Sequence, residues 1–270
     1  MQTTDVAGLG RLSCIRADQV AGLREQVGHY FNHGIDVWPG CTVVDVGANL
    51  GLFSLTARQR CGGDLTSYMF EPVPSIFAAL EDNARRLGEG RLHAVCCGLS
   101  AQAGEAQFAY RPNMPSLSTA YIHDDAELEE QVKAAILRNL AVTDWRVRWI
   151  GWLPAALRDR VLARAVKQMF ATELVECRLR TLSEVIREFG IERIDLLKVD
   201  AEKSELDVLR GIEPEHWPLI RQVVMEVHDI DERVDEIRAL LASHGISAIV
   251  TDQEPALRGS NVYDLYARRP

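Results

Sequence analysis

The stretch VVDVGANLGLFSLTA, Val43 to Ala57, holds the residues of this 270-residue chain best suited to grip a ligand. A β-branched run ends in Asp45. Gly47, Asn49 and Gly51 follow at alternate positions, and a helical pattern begins directly after them. Small residues there let the backbone come close to a ligand, and the helix that follows aims its N-terminus at it. An acid at the strand end repels a pyrophosphate and suits a ligand carrying an ammonium or sulfonium group. Glu71, with Pro72 beside it, closes the next strand-like run, TSYMF. A carboxylate about 20 residues after such a turn can accept hydrogen bonds from both hydroxyls of a ribose. The two features point to a nucleoside and leave NAD and S-adenosylmethionine both open.

Two further strand ends supply groups that move protons. LLKVD is followed by Glu202 and Lys203 after Asp200, and MEVHD holds Glu226, His228 and Asp229. Strand ends in a parallel sheet are neighbours on the ligand side. His228 is the expected general base, because an unperturbed imidazole titrates near neutrality. Glu202 or Asp229 is available to orient its other ring nitrogen. Strand alternation puts Glu226 and His228 on one face. A second chemistry uses the same groups: Asp200 with Glu226, His228 or Asp229 could hold Mg²⁺, which would acidify an acceptor hydroxyl. The remaining histidines have no such setting. His29 and His33 are spaced to share a helix face, but no third ligand for a metal is evident near them.

The elements that must position these groups alternate. Strand-like runs at CTVVDVG, TSYMF and LHAVCCGLS are separated by the helical patterns NLGLFSLTARQR and SIFAALEDNARRLG. EAQFAYRP is expected to pair with the third strand or to extend the sheet edge. From Asn113 to Glu176 there is no strand signal. That stretch carries the acidic helical run DDAELEEQVKAAILRNL, then WRVRWIGW, then the amphipathic run LPAALRDRVLARAVKQMF with an apolar stripe at Leu153, Leu157, Val161, Leu162, Ala165, Val166 and Met169. It reads as a helical cap or lid, residues 113–176, with PNMPSLST as the hinge into it. Regular order resumes with TLSEVIREFG, IDLLKVD, SELDVLRGI, QVVMEVHD, VDEIRALLASHG and ISAIVTD, and the chain ends in the alternating strand NVYDLYARRP. Strands interleaved with helices mean a mainly parallel sheet covered on both faces, an α/β doubly wound fold. Residues 1–39 read as an N-terminal segment, helical in part at DQVAGLREQVGHYFNHG, that could close over the ligand, and 40–270 as the main domain.

Composition narrows the function. A formal charge of −9 argues against phosphate-backbone binding, so no nucleic acid is expected as partner. No apolar run approaches the roughly 20 residues of a membrane span, and no signal peptide is seen, so a cytoplasmic protein without a membrane partner is expected. The six cysteines show no CxxC pair and read as reduced thiols.

The turn reads D-x-G-A-N-x-G, which resembles motif I of class I methyltransferases. The wider set VVDVGANLGLFSL, FEPVPSIFAALEDN, CCGLSAQAGEAQF, TLSEVI, IDLLKVDAEKSELDVLRGI and VVMEVHD resembles the FkbM-type methyltransferases, over about residues 40–110 and 175–230. Family members often have Glu-Gly where this chain has Glu202-Lys203. That departure and the Glu-Val-His-Asp ending resemble the branch associated with polyketide and peptide natural products. The resemblance implies a Rossmann-like class I fold with a seven-stranded sheet and S-adenosylmethionine as donor, giving S-adenosylhomocysteine. It implies Asp45, Gly47, Asn49 and Gly51 at the methionine end, and Glu71 with Pro72 at the ribose. It also implies Cys97, Gly98, Leu99 and Ser100 along the adenine, and Asp200 near the sulfonium. Lys203, three residues past Asp200, resembles the lysine base of catechol-type methyltransferases in spacing.

The expected activity is methylation of a hydroxyl on a small molecule, a polyketide or other secondary metabolite, free or delivered on an acyl carrier protein that meets the basic residues Arg158, Arg160, Arg164 and Lys167. N-methylation or a sugar acceptor would use the same donor half. An NAD(P)-dependent oxidoreductase is the alternative from another class. It would need a proton-relay motif such as Tyr-x-x-x-Lys, which none of the tyrosines carries.

Overall fold

The computed structural model describes residues 1–115, 118–119, 154–254 and 257–270. The expected acidic helix at 124–140 and the WRVRWIGW segment lie outside the described residues. An antiparallel hairpin, β1 (Gln2–Val6) and β2 (Gly10–Cys14), leads into α1 (Val20–His29). The core then runs β3 (Cys41–Val46), α2 (Leu52–Arg60), β4 (Leu65–Phe70), α3 (Pro74–Leu87) and β5 (Leu92–Val95). Next come β6 (Gly98–Leu99), β7 (Gly104–Tyr110), α4 (Ala155–Met169) and β8 (Glu173–Arg180). The chain closes with α5 (Leu182–Phe189), β9 (Leu196–Val199), α6 (Glu205–Arg210), β10 (Gln222–His228), α7 (Arg233–Ser243), β11 (Ala248–Asp252) and β12 (Val262–Arg268).

Seven strands form the central sheet in the order β11-β12-β10-β9-β3-β4-β5. The pairs from β10 through β5 are parallel, and β12 runs antiparallel to both β10 and β11. β9 and most of β10 are buried, as the continuous apolar runs of a sheet covered on both sides require. The order reverses between β3 and β9, which opens a crevice at their carboxyl ends. Local signals fix the helices around it. Thr181 and Glu184 close a reciprocal capping box on α5, and Gly190 ends that helix in the left-handed conformation. Pro74 occupies the first turn of α3, where its missing N–H costs nothing.

Four expectations about elements are corrected. The N-terminal segment is helical where expected, at α1, but its first residues form a hairpin that was not expected. Gly8 and Gly10 turn the chain at φ +78° and +83°, and the hairpin docks through Ser13, whose N–H and carbonyl both bond the buried Asn83 of α3. EAQFAYRP does not join the central sheet; β7 pairs with β8 in a separate three-stranded sheet, order β6-β8-β7. LHAVCCGLS is two strands, because the chain leaves the central sheet after Val95 and Gly98–Leu99 pairs with β8. The strand-free stretch ends at Glu173, where β8 begins. β7 and β8 find their partners far away in sequence, and their own patterns are half exposed. On α4, burial concentrates at Leu162 and Val166, while Leu157 and Ala165 of the expected stripe are exposed.

Candidate active site

The crevice opens into a cavity of about 1020 Å³. Of the residues singled out in the sequence, Gly47, Asn49, Glu71, Pro72, Gly98, Leu99, Ser100, Asp200, Glu202, Lys203, Glu226 and His228 line it together. Pro115, Ser118 and Thr119 of the expected hinge line it as well.

The turn after β3 works by close approach. Gly47 sits at φ +70°, and a Cβ there would lie 1.8 Å from the carbonyl oxygen of Asp200. No side chain fits between these two strand ends, and the N–H groups of Gly47 and Ala48 both bond the Phe70 carbonyl, which holds the turn in place where it lines the cavity. Asn49 adopts φ +50° and donates its N–H to Glu71 Oε2 at 3.1 Å. Val73 N–H donates to Glu71 Oε1 at 3.0 Å. These bonds fix the carboxylate, and each oxygen keeps a lone pair for a ligand donor. Burial pushes the Glu71 carboxyl up to about 7, against the two backbone hydrogen bonds that hold it down.

Three expected members of the site do not reach the cavity. Asp45 is fully buried behind the turn, where Ser54 Oγ donates to it at 2.7 Å and Lys198 Nζ lies 3.3 Å away. It organises the turn from below because its side chain alternates onto the face covered by α2. Gly51 serves as the left-handed N-cap of α2, packed under Leu80. Cys97 is buried beside β6, and of the expected run Gly98, Leu99 and Ser100 line the cavity in its place.

The proton-handling groups cluster at the ends of β9 and β10. His228 Nδ1 lies 3.3 Å from Glu205 Oε1, and its Nε2 lies 3.7 Å from Glu202 Oε2. Asp229 plays no part in orienting the ring; its Oδ1 accepts from Val234 N–H at the start of α7. Carboxylate oxygens of Asp200, Glu202 and Glu226 lie within 4.8 Å of one another. In this trio Glu202 takes the place expected for His228 in a cation site. Burial, then the charge of Asp200, raises both acids: Glu226 to about 8 and Glu202 well above the carboxylate range. Both hold protons readily at neutral pH, or would release them to a cation.

Four contributors escaped the sequence reading. Lys198 is almost fully buried in β9. It donates to the carbonyls of Val46 and Gly47 at 3.2 and 2.8 Å and lies 3.5 Å from Asp200 Oδ2. Burial presses its ammonium down, but Asp200 and Asp45 outweigh that and hold it above its ordinary value. The signal was available: a lysine inside the otherwise apolar LLKV run. Glu205, buried at the start of α6, gave no such signal. Nor did α1, whose Tyr30 hydroxyl donates to Asp200 Oδ2 at 3.0 Å and whose Gln26 donates to Glu226 Oε2 at 2.8 Å. Nothing local ties residues 26 and 30 to strands some 170 and 200 positions away.

The methyltransferase FkbM domain, as a sequence family, matches residues 45–247 of this chain. The chain belongs to the FkbM methyltransferase family. Within that family it is 39% identical over 241 residues to the 31-O-demethyl-FK506 methyltransferase FkbM of Streptomyces tacrolimicus, covering 89% of this chain and 85% of that protein. It is 34% identical over 212 residues to methyltransferase sdnD of Sordaria araneosa, covering 75% and 72%. A crystal structure of a methyltransferase FkbM from Methylobacillus flagellatus KT shares the fold with a TM-score of 0.50 at 15% identity. That match covers 88% of this chain and 46% of the other. The FkbM-family chain is therefore a methyltransferase, and its strand order is that of the class I fold. Among the described residues no helix is long and apolar enough to cross a membrane.

Proposed function

We propose that this FkbM-family methyltransferase uses S-adenosylmethionine to methylate a hydroxyl of a secondary metabolite. The observation that carries the reading is Glu71. A buried carboxylate, fixed by two backbone N–H groups at the end of the second parallel strand, faces a cavity large enough for a nucleoside and a second reactant. The tight turn at Gly47 and the surface of Gly98 and Leu99, which line the same cavity, complete a site that fits that donor. When bound, S-adenosylmethionine supplies an electrophilic methyl group on a sulfonium. The chain's residues do the rest. Glu71 accepts from the ribose hydroxyls, Asp200 places negative charge opposite the sulfonium end, and His228 takes the proton of the acceptor oxygen through Nε2 while Glu205 holds Nδ1. The name of the Streptomyces tacrolimicus relative states an O-demethyl acceptor, which favours oxygen over nitrogen here. A carrier-delivered acceptor would approach past the exposed Arg160, Arg164 and Lys167 of α4.

The trio Asp200, Glu202 and Glu226 favours a second reading, in which Mg²⁺ bound there acidifies the acceptor hydroxyl. Turnover that disappears with EDTA and returns with Mg²⁺ would select it over the metal-free base.

Calorimetric titration with S-adenosylhomocysteine tests the donor. Micromolar binding is expected for the wild type. Glu71→Ala is expected to weaken it about 10–100-fold, the worth of hydrogen bonds to a charged group. Ribose hydroxyls bond best to the ionised form, so affinity should rise with pH and level off above about 7, the value to which Glu71 is raised. Glu71→Gln should remove that pH dependence. Absence of binding, or heat released by NAD instead, would overturn the donor assignment.

A further inference from the structure

A second polar centre lies beside the cavity, where α1 crosses the antiparallel edge of the sheet. Directly opposed residues on neighbouring strands share a face. The register therefore sets Glu226 of β10, Asp264 of β12 and Asp252 of β11 in one row. α1 and the turn after it lie over that row. Gln26 reaches Glu226, His29 Nδ1 meets Glu254 Oε1 at 2.5 Å, and His33 Nε2 meets Asp252 Oδ2 at 2.9 Å. One ligand atom each from His29, Glu254 and Asp264 lies within 4.8 Å of the other two.

Asp264 makes this more than an ion pair. It is only 5% exposed, and among the described residues no group donates a hydrogen bond to its carboxylate. The charges acting on it are Glu254, His29, Asp200 and Asp252, three of them acids. A buried carboxylate is kept charged by hydrogen bonds, by an opposite charge or by a metal. His29 is already engaged by Glu254 and His33 by Asp252, so neither imidazole is left to balance Asp264.

We infer that His29, Glu254 and Asp264 form a binding site for a divalent cation of borderline hardness, Zn²⁺ first. One imidazole nitrogen and two carboxylates are a ligand set Zn²⁺ accepts, with water in the remaining position. Harder Mg²⁺ takes oxygen ligands and would choose the Asp200 trio. Zinc bonds of about 2.0–2.2 Å hold neighbouring ligands further apart than His29 and Glu254 now stand, so loading moves Glu254 back. The ion joins α1 to β12 and to the segment after β11. It thereby fixes the helix that delivers Gln26 and Tyr30 to the cavity. This inference is independent of the donor and of the reaction.

The test is titration of the full chain, stripped with EDTA, by ZnCl₂, followed by calorimetry and by thermal unfolding. Wild type should bind zinc at a site missing from Asp264→Asn and from His29→Gln, and kept in Glu202→Gln. Zinc at a hundredfold excess over its dissociation constant should raise the wild-type midpoint by roughly 5 °C and leave both site variants unmoved. In EDTA the order reverses: Asp264→Asn should melt above wild type, since it removes an uncompensated buried charge. If Asp264→Asn does not fold, the half-exposed His29→Gln carries the comparison. Equal zinc binding by wild type and His29→Gln, loss of the site in Glu202→Gln, or an Asp264→Asn protein less stable than wild type in EDTA would each overturn the inference.

Discussion

Lys198→Met is expected to destabilise the folded chain by about 3–5 kcal/mol, the cost of stripping one partner from a buried ion pair. The Lys198 side chain is almost fully buried, with its ammonium 5.6 Å from the centre of the Tyr30 ring, and methionine replaces most of its volume. What methionine cannot replace is the ammonium between Asp45 and Asp200, at 3.3 and 3.5 Å. Asp45 is fully buried, and its Oδ1 has no hydrogen-bond donor, so without Lys198 it keeps only the Ser54 hydroxyl. The Gly47 carbonyl loses its lysine donor in the same step, and the Val46 carbonyl keeps only the Asp200 N–H. A drop in melting midpoint on the order of 10 °C should follow. The double variant Lys198→Met with Asp45→Asn should recover more than half of it, because the orphaned charge is gone. A midpoint unchanged in the single variant would show that the pair does not support the turn.

His228→Ala is expected to cut turnover by about 10²–10⁴-fold, the usual worth of a positioned general base, while S-adenosylhomocysteine binds as to the wild type. The ring sits at the mouth of β10, about one-eighth exposed, with carboxylates toward both nitrogens. Glu205 at Nδ1 favours the tautomer that leaves Nε2 free to accept a proton, and it stabilises the imidazolium that results. The proposed donor contacts, Glu71, Gly98 and Leu99, are other residues of the cavity lining, and the structure gives no bond from them to the ring, so removing it should leave them intact. The split between unchanged product affinity and lost turnover distinguishes chemistry from folding. Turnover that survives the change would move the base to the ionised carboxylate of Glu202 or Glu226, or point to a cation held by them with Asp200 that acidifies the acceptor hydroxyl.

Much of the site lies in short motifs whose spacing carries their geometry. Gly47 must be glycine because β3 ends against Asp200, and the strand-turn-helix pattern around it already says that two backbones meet there. Glu71 and His228 each close a strand of a parallel sheet, and such ends converge on one crevice. Asp45 shows where that reasoning stops. Its type and place suited a ligand contact, yet the pleat turns it inward to Ser54 and Lys198. Whether a strand-end side chain faces ligand or core depends on which residue of the pleat is last, and that is settled by packing.

The sequence by itself determined the α/β alternation, the family and the strand ends that line the cavity, because hydrophobic period and turn composition are local properties. It also exposed the one charge out of place in β9, had that been weighed. Tertiary structure alone decided the rest. It brought Tyr30 to Asp200, Gln26 to Glu226 and His29 to Asp264, and it paired β7 with β8 instead of the central sheet. Those contacts join segments tens to hundreds of residues apart. Their partners are chosen by which faces remain unburied once the local elements have formed, and no spacing along the chain records that choice.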